Sequence, residues 1–173
     1  MHKTIRLSLL ICMLILCVGC DQATKTLAQQ NLMGQAPQSF LNGLFRLHYA
    51  ENPGAFLSLG ANLSPEVRFW IFTVLASALL IGMAVFLIRY AQQMSIGMAL
   101  ATTLLLGGGF SNLIDRVFNE GRVVDFMVIG VDTEWISLYT GVFNFADMAI
   151  MTGTGLLMIF MREATNTPAT DSP

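Results

Sequence analysis

Four aspartates, Asp21, Asp115, Asp125 and Asp147, each lie at or near the end of an apolar segment. An ionisable group near a bilayer costs roughly 2.5–3.5 kcal/mol at a helix centre, so each is a functional candidate by default. Their neighbours differ. Asp21 is four residues before Lys25, and on a helix that spacing puts the two on one face as an ion pair. Asp115 precedes Arg116 and could pair locally or with another loop. Asp125 sits in Val123-Val124-Asp125-Phe126, with Arg122 as its nearest cation. Asp147, in Phe143-Asn144-Phe145-Ala146-Asp147, has no basic residue nearby in sequence. Asp125 and Asp147 are therefore the least neutralised. Two carboxylates a few ångströms apart in a partly dry site share one proton and titrate as a unit. The ionised one takes a proton from water and the protonated one donates to a carbonyl, which is the chemistry of aspartyl peptide hydrolysis. The structural alternatives are an N-cap at Asn144 or Asp147 and a strand-end turn at Asp125.

Asn52, Asn112 and Asn144 lie at the same edges. Their amides can orient a carboxylate or a substrate chain, or simply tie loops to helix ends. Gly54 suits a turn, and Gly107 to Gly109 suit close helix packing. Other chemistries find no support. His2 and His48 do not cluster, and there is no HExxH, so no metal is expected. There is no GxSxG elbow and no phosphate loop, so no cofactor is expected. Cys12, Cys17 and Cys20 share one segment and make no disulfide framework. A net charge of −2 without a basic run excludes nucleic acid as a partner.

These residues must be positioned by elements suited to lipid. The chain of 173 residues is 54% hydrophobic and only 12% charged, against about 25% charged in a soluble domain. A span needs about 20 apolar residues. Four segments come near that length: about 5–20, 69–88, 96–114 and 143–161. The expected class is a mainly α membrane protein, one domain over 1–162, with a polar, disordered tail over 163–173. Between spans one and two, Phe40-Leu41, a turn at Asn42-Gly43 and Leu44 to Tyr49 read as strands, with a second turn at Asn52-Pro53-Gly54. Arg122 to Ile129 is another possible strand. Four spans put both termini on one side. Lys3 and Arg6 favour the cytoplasm for that side. Nine of the eleven acids fall on the opposite, loop side. Acids gathered at one face argue against an ion or proton path through the bilayer, the transporter reading. The start of the chain, ending in Val18-Gly19-Cys20-Asp21, also looks like a lipoprotein signal peptide, although Cys17 stands where that motif prefers Leu.

Taken together, the edge residues resemble bacterial lipoprotein signal peptidase, also called signal peptidase II. The resemblance rests on Asp21-Gln22-Ala23-Thr24-Lys25, Asn52-Pro53-Gly54-Ala55-Phe56, Gly107 to Arg116, Val123-Val124-Asp125-Phe126 and Phe143 to Asp147, in that order. It implies a catalytic dyad of Asp125 and Asp147. It implies that Asp21, Lys25, Asn52, Gly54, Asn112, Arg116, Asn144 and Ala146 shape the site or hold substrate. It further implies four transmembrane helices with a small periplasmic β-sheet cradle and a short, mobile periplasmic helix. The implied localisation is the bacterial inner membrane, with cytoplasmic termini and a periplasmic site. The implied substrate is a prolipoprotein cut before its diacylglyceryl cysteine, and the enzyme is expected to be a monomer in membrane lipid, without cofactor or metal. The resemblance also makes the first segment a retained helix. Ser111 departs from a common glycine, and Pro53 stands between Asn52 and Gly54.

Overall fold

The structure is a computed structural model that describes residues 3–55, 59–132 and 135–166. Four helices in it are long and apolar enough to cross a membrane. Helix α1 runs Lys3–Leu32. At 1.5 Å per residue its 30 residues make about 45 Å, well beyond a hydrocarbon core of about 30 Å. The helix therefore runs on past the expected span, 5–20, and emerges from the membrane. The helix continues past an exposed Cys20 because Ala28 and Leu32 have an apolar partner above the membrane.

Helix α2 spans Pro65–Tyr90. It starts at a proline behind a Ser64 cap, whose hydroxyl accepts from the Val67 N–H. Its segment Phe69–Leu75 is wound as a π-helix. Helix α3, Ile96–Phe118, begins at a Ser95 cap, and helix α4 runs Phe145–Asn166. Both exceed the expected limits: Asp115 and Arg116 lie inside α3, and α4 carries on through residues 163–166. The rest of the expected tail, 167–173, lies outside the described residues.

Helix α3 sits centrally, against α1, α2 and α4. Its glycines allow this on three sides. A Cβ at Gly107 would meet Cys17 of α1 at 2.8 Å, one at Gly109 would meet Leu80 of α2 at 2.4 Å, and one at Gly108 would meet the Ala146 carbonyl of α4 at 2.3 Å. Outward residues such as Ile15, Leu79, Ile88 and Met158 are exposed, which suits a lipid-facing wall rather than a watery one. At the end of the bundle away from the aspartates, Arg6 donates to the carbonyls of Met94 (2.7 Å) and Ser95 (3.1 Å) and locks α1 to the α2–α3 turn.

A four-stranded antiparallel sheet covers the other end, in the order β1 (Gln38–Phe40), β2 (Phe45–Asn52), β3 (Val123–Asp132), β4 (Ser137–Tyr139). The expected turn at Asn42-Gly43 is a 3₁₀ turn over Leu41–Gly43, with Asn42 at φ 54° and Gly43 at φ 90°, a region open to both residue types. It is the one helical turn outside the spans among the described residues. In register, Ala50 lies opposite Asp125 and Asn52 opposite Val123. An irregularity between Leu47 and Ala50 bends β2 there. Phe126, Met127 and Phe143 pack on Ala28 and Leu32, which seats the sheet on the projecting end of α1.

Candidate active site

The aspartates converge where the sheet meets the helix ends. All four are buried: Asp21 is 0% exposed, Asp125 1%, Asp147 6% and Asp115 7%. They divide into two pairs.

Asp21 and Asp115 share a cation. The expected i,i+4 pair is present, with Lys25 Nζ 2.7 Å from Asp21 Oδ2. Lys25 also reaches Asp115 Oδ2 at 2.8 Å, so Asp115 pairs across helices and not with Arg116. The third ammonium hydrogen goes to Asn112 Oδ1 at 2.8 Å, which uses all three donors of the group. Asp21 accepts further bonds from the Ser111 hydroxyl (2.7 Å) and the Ala146 N–H (2.8 Å). Asp115 accepts from Gln22 (2.7 Å) and the Val124 N–H (3.0 Å). Two buried carboxylates are thereby compensated as a buried charge requires.

Asp125 and Asp147 are held by amides. Asn52 Nδ2 donates to Asp125 Oδ2 at 2.9 Å, and Asn144 Nδ2 to Asp125 Oδ1 at 2.7 Å. Asn112 Nδ2 donates to Asp147 Oδ1 at 2.9 Å. Asn144 and Asp147 form a reciprocal capping box at the start of α4. The Asp147 N–H donates to Asn144 Oδ1 (2.8 Å) and the Asn144 N–H to Asp147 Oδ2 (3.3 Å). The N-cap alternative is therefore realised, and the same residues also link the two carboxylates. Burial, and next the charge of Asp147, push the Asp125 carboxyl up to about 7, against the opposing pull of Asn52, Lys25 and Asn144.

The remaining residues complete one network. Asn52 accepts from the Gly54 N–H at 2.9 Å and donates to the Ala55 carbonyl at 3.0 Å, which closes the loop after β2. Arg116 donates to the carbonyls of Gly54 (2.8 Å) and Asn112 (3.2 Å) and lies 5.8 Å from the Phe72 ring in the π segment. Asp21, Lys25, Asn52, Gly54, Asn112, Arg116, Asn144 and Ala146 are thus brought together around the two aspartates. Two participants were missing from the expected set. Gln22 bridges Asp115 and the Ser111 hydroxyl, and Ser111 carries Gln22 on to Asp21. The signal for Gln22 was its i,i+3 spacing to Lys25, which places both on one helical face. Among the described residues no His, Cys, Asp and Glu side chains are grouped as a metal site.

A groove of about 730 Å³ leads from this network down between α2 and α4. Its floor carries Asn112, Arg116 and Asp147, and its walls are apolar, including Leu79, Met83 and Met158. An apolar chain can lie along it with a polar bond presented to the carboxylates.

Comparison with known proteins agrees with this architecture. Residues 13–162 match the sequence model of a family described as signal peptidase (SPase) II. The lipoprotein signal peptidase of Leifsonia xyli is 37% identical over 145 residues, which are 80% of this chain and 60% of that protein. The chain thus spans less than two thirds of that relative's length. The lipoprotein signal peptidase of Syntrophotalea carbinolica is 36% identical over 154 residues, 89% of each chain. A bacterial membrane enzyme solved by the in meso method superposes with a TM-score of 0.75 at 26% identity, over 96% of this chain and 94% of that one. The chain belongs to the signal peptidase II family.

Proposed function

We propose that this member of the signal peptidase II family removes signal peptides from prolipoproteins, with Asp125 and Asp147 as the catalytic pair. The observation that carries the assignment is the contrast in compensation. Of the four buried aspartates, only these two are bonded by neutral donors and by no cation.

Such a pair can gain and lose a proton during turnover. With the Asp125 carboxyl raised to about 7, the pair can hold one shared proton near neutral pH, which the mechanism assigns to Asp125. Asp147 is then the base. Asp147 takes a proton from water as the water oxygen attacks the scissile carbonyl carbon, and the Asp125 proton passes to the carbonyl oxygen. The gem-diol collapses with cleavage of the C–N bond. Asp147 passes its proton to the leaving amine, and Asp125 recovers one from a gem-diol hydroxyl. Asn112, Asn144 and Asn52 hold both carboxylates in place throughout.

The groove between α2 and α4 suits a lipid-modified substrate, because its apolar walls open toward the bilayer. We assign it to the diacylglyceryl cysteine and the adjoining signal peptide, cut before that cysteine. The protein is a multi-pass membrane protein. The residues at its start, among them Lys3 and Arg6, favour cytoplasmic termini, which would put the sheet and site on the periplasmic face of the inner membrane. The test is cleavage of a diacylglyceryl prolipoprotein by Asp125→Asn and Asp147→Asn. Each is expected to lose activity by about a thousandfold or more while still inserting. Near-normal activity in either would remove that residue from the pair.

A further inference from the structure

Two cavities meet at Arg116. One is the apolar groove. The other, about 450 Å³, lies between the start of α2 and the end of α3. Among the described residues its charged lining is Arg68, Arg116 and Arg122 against one carboxylate, Glu120. These guanidiniums are only partly engaged. Arg68 spends one nitrogen on the Ala61 carbonyl at 3.0 Å. Arg116 bonds two backbone carbonyls, with Asp147, Asp115 and Asp125 acting on it from behind, and its buried Nε–H has no partner among the described residues. Arg122 pairs with Glu51 through one nitrogen at 2.8 Å. Glu51 offsets the charge of Arg122 and the aspartates that of Arg116, so what the pocket offers an anion is its unspent guanidinium N–H groups, with Arg68 bonded to a carbonyl and to no carboxylate among the described residues.

The surroundings identify the level at which it sits. Phe69, Trp70, Val117 and Phe118, on the two helix ends that frame it, are 52%, 63%, 60% and 83% exposed. Exposed aromatics at a span's end mark the headgroup layer of a bilayer. Pro65, the first residue of α2, also lines the pocket and adds the positive end of that helix. Guanidinium forks match phosphate oxygens in pairs, and basic pockets between membrane helices take lipid headgroups. We propose that this pocket binds the phosphodiester of an anionic phospholipid, whose chains lie along the exposed Phe69, Trp70, Val117 and Phe118 at the two helix ends. A diacylglyceryl cysteine has no phosphate, so this site is separate from recognition of the substrate proposed above.

The test is lipid retention by the full chain. The protein is reconstituted in vesicles of phosphatidylcholine and phosphatidylglycerol in equal parts, extracted, and its bound lipid measured by native mass spectrometry. The wild type is expected to retain phosphatidylglycerol over phosphatidylcholine by about tenfold. The double variant Arg68→Gln/Arg122→Gln should bring the ratio near one, and Arg68→Lys/Arg122→Lys should restore most of it. Equal retention of the two lipids by the wild type would overturn the proposal without any variant. So would displacement of the retained lipid by millimolar inorganic phosphate, which would mark a site for free anions. The measurement needs no turnover, so its outcome stands apart from that of the peptidase assay.

Discussion

Lys25 and Asn144 occupy equivalent places in two halves of one network. Each is buried and each joins a carboxylate to its surroundings, but one is a cation and the other a neutral amide. The half around Lys25 compensates Asp21 and Asp115 with one shared ammonium. The half around Asn144 holds Asp125 and Asp147 by dipoles that accept a change of charge more readily. Identical side chains at similar depth thus sit in two different electrostatic settings, the second of which suits the reactive role proposed above. What separates them is the formal charge of the neighbour, not burial.

The strongest way to break this comparison is to remove the cation. Lys25→Met leaves two buried carboxylates uncompensated and is expected to cost about 3–5 kcal/mol. A fall in melting temperature of about 10 °C in detergent would register it. The Asp125→Asn/Asp147→Asn double variant should by contrast cost less, because it removes mutual repulsion and loses one acceptor oxygen at each position but leaves no buried charge uncompensated. If both variants lost stability equally, the two halves would not differ in kind.

The next effect is on pH dependence. In the proposed mechanism the pair must hold a proton to donate to the carbonyl, and the Asp125 carboxyl is raised to about 7. Activity is therefore expected below that value and lost as pH rises through it. The stability contribution has the same sign, being full in acid and lost through about pH 7. Asn52 donates to the ionised form of Asp125. Asn52→Leu should move the alkaline limb of the kcat/KM profile upward, which a purely structural role for Asn52 would not do.

The smallest expected effect is at Ser111, whose hydroxyl links Gln22 to Asp21 within the compensated half. Ser111→Gly removes the two bonds of that hydroxyl, each worth about 1 kcal/mol. Turnover should fall only a few-fold, with the pH midpoint unmoved. A displaced midpoint would mean that the two halves are electrostatically continuous.

What could be read in the sequence followed the range of the interaction. The Asp21–Lys25 pair and the Asn144–Asp147 box are local, set by helical periodicity and capping, so spacing alone exposes them. The four spans are likewise local, a matter of apolar length. The bond from Lys25 to Asp115 joins residues ninety apart in the chain, and only the packing of α1 on α3 creates it. The length of α1 was hidden for the same reason. Residues 21–32 are polar enough to pass for a loop, and their helix is held by an apolar contact between Ala28, Leu32 and a sheet formed far along the chain. The turn at Asn42-Gly43 was legible too: it joins β1 and β2 as a 3₁₀ turn over Leu41–Gly43, with Leu41 and Asn42 at positive φ.

The projecting end of α1 makes the molecule a depth gauge. Arg6 is fastened to the α2–α3 turn at one membrane surface, and Asp21 is fastened to the start of α4 near the other. Fifteen helical steps separate them, about 22 Å, a length that an unbroken helix cannot easily change. The height of the reactive pair above the bilayer midplane is therefore written into a count of residues. Under the function proposed above, a lipid-anchored substrate, whose own height is set by its chains, would meet the carboxylates at a level that both molecules measure from the same membrane.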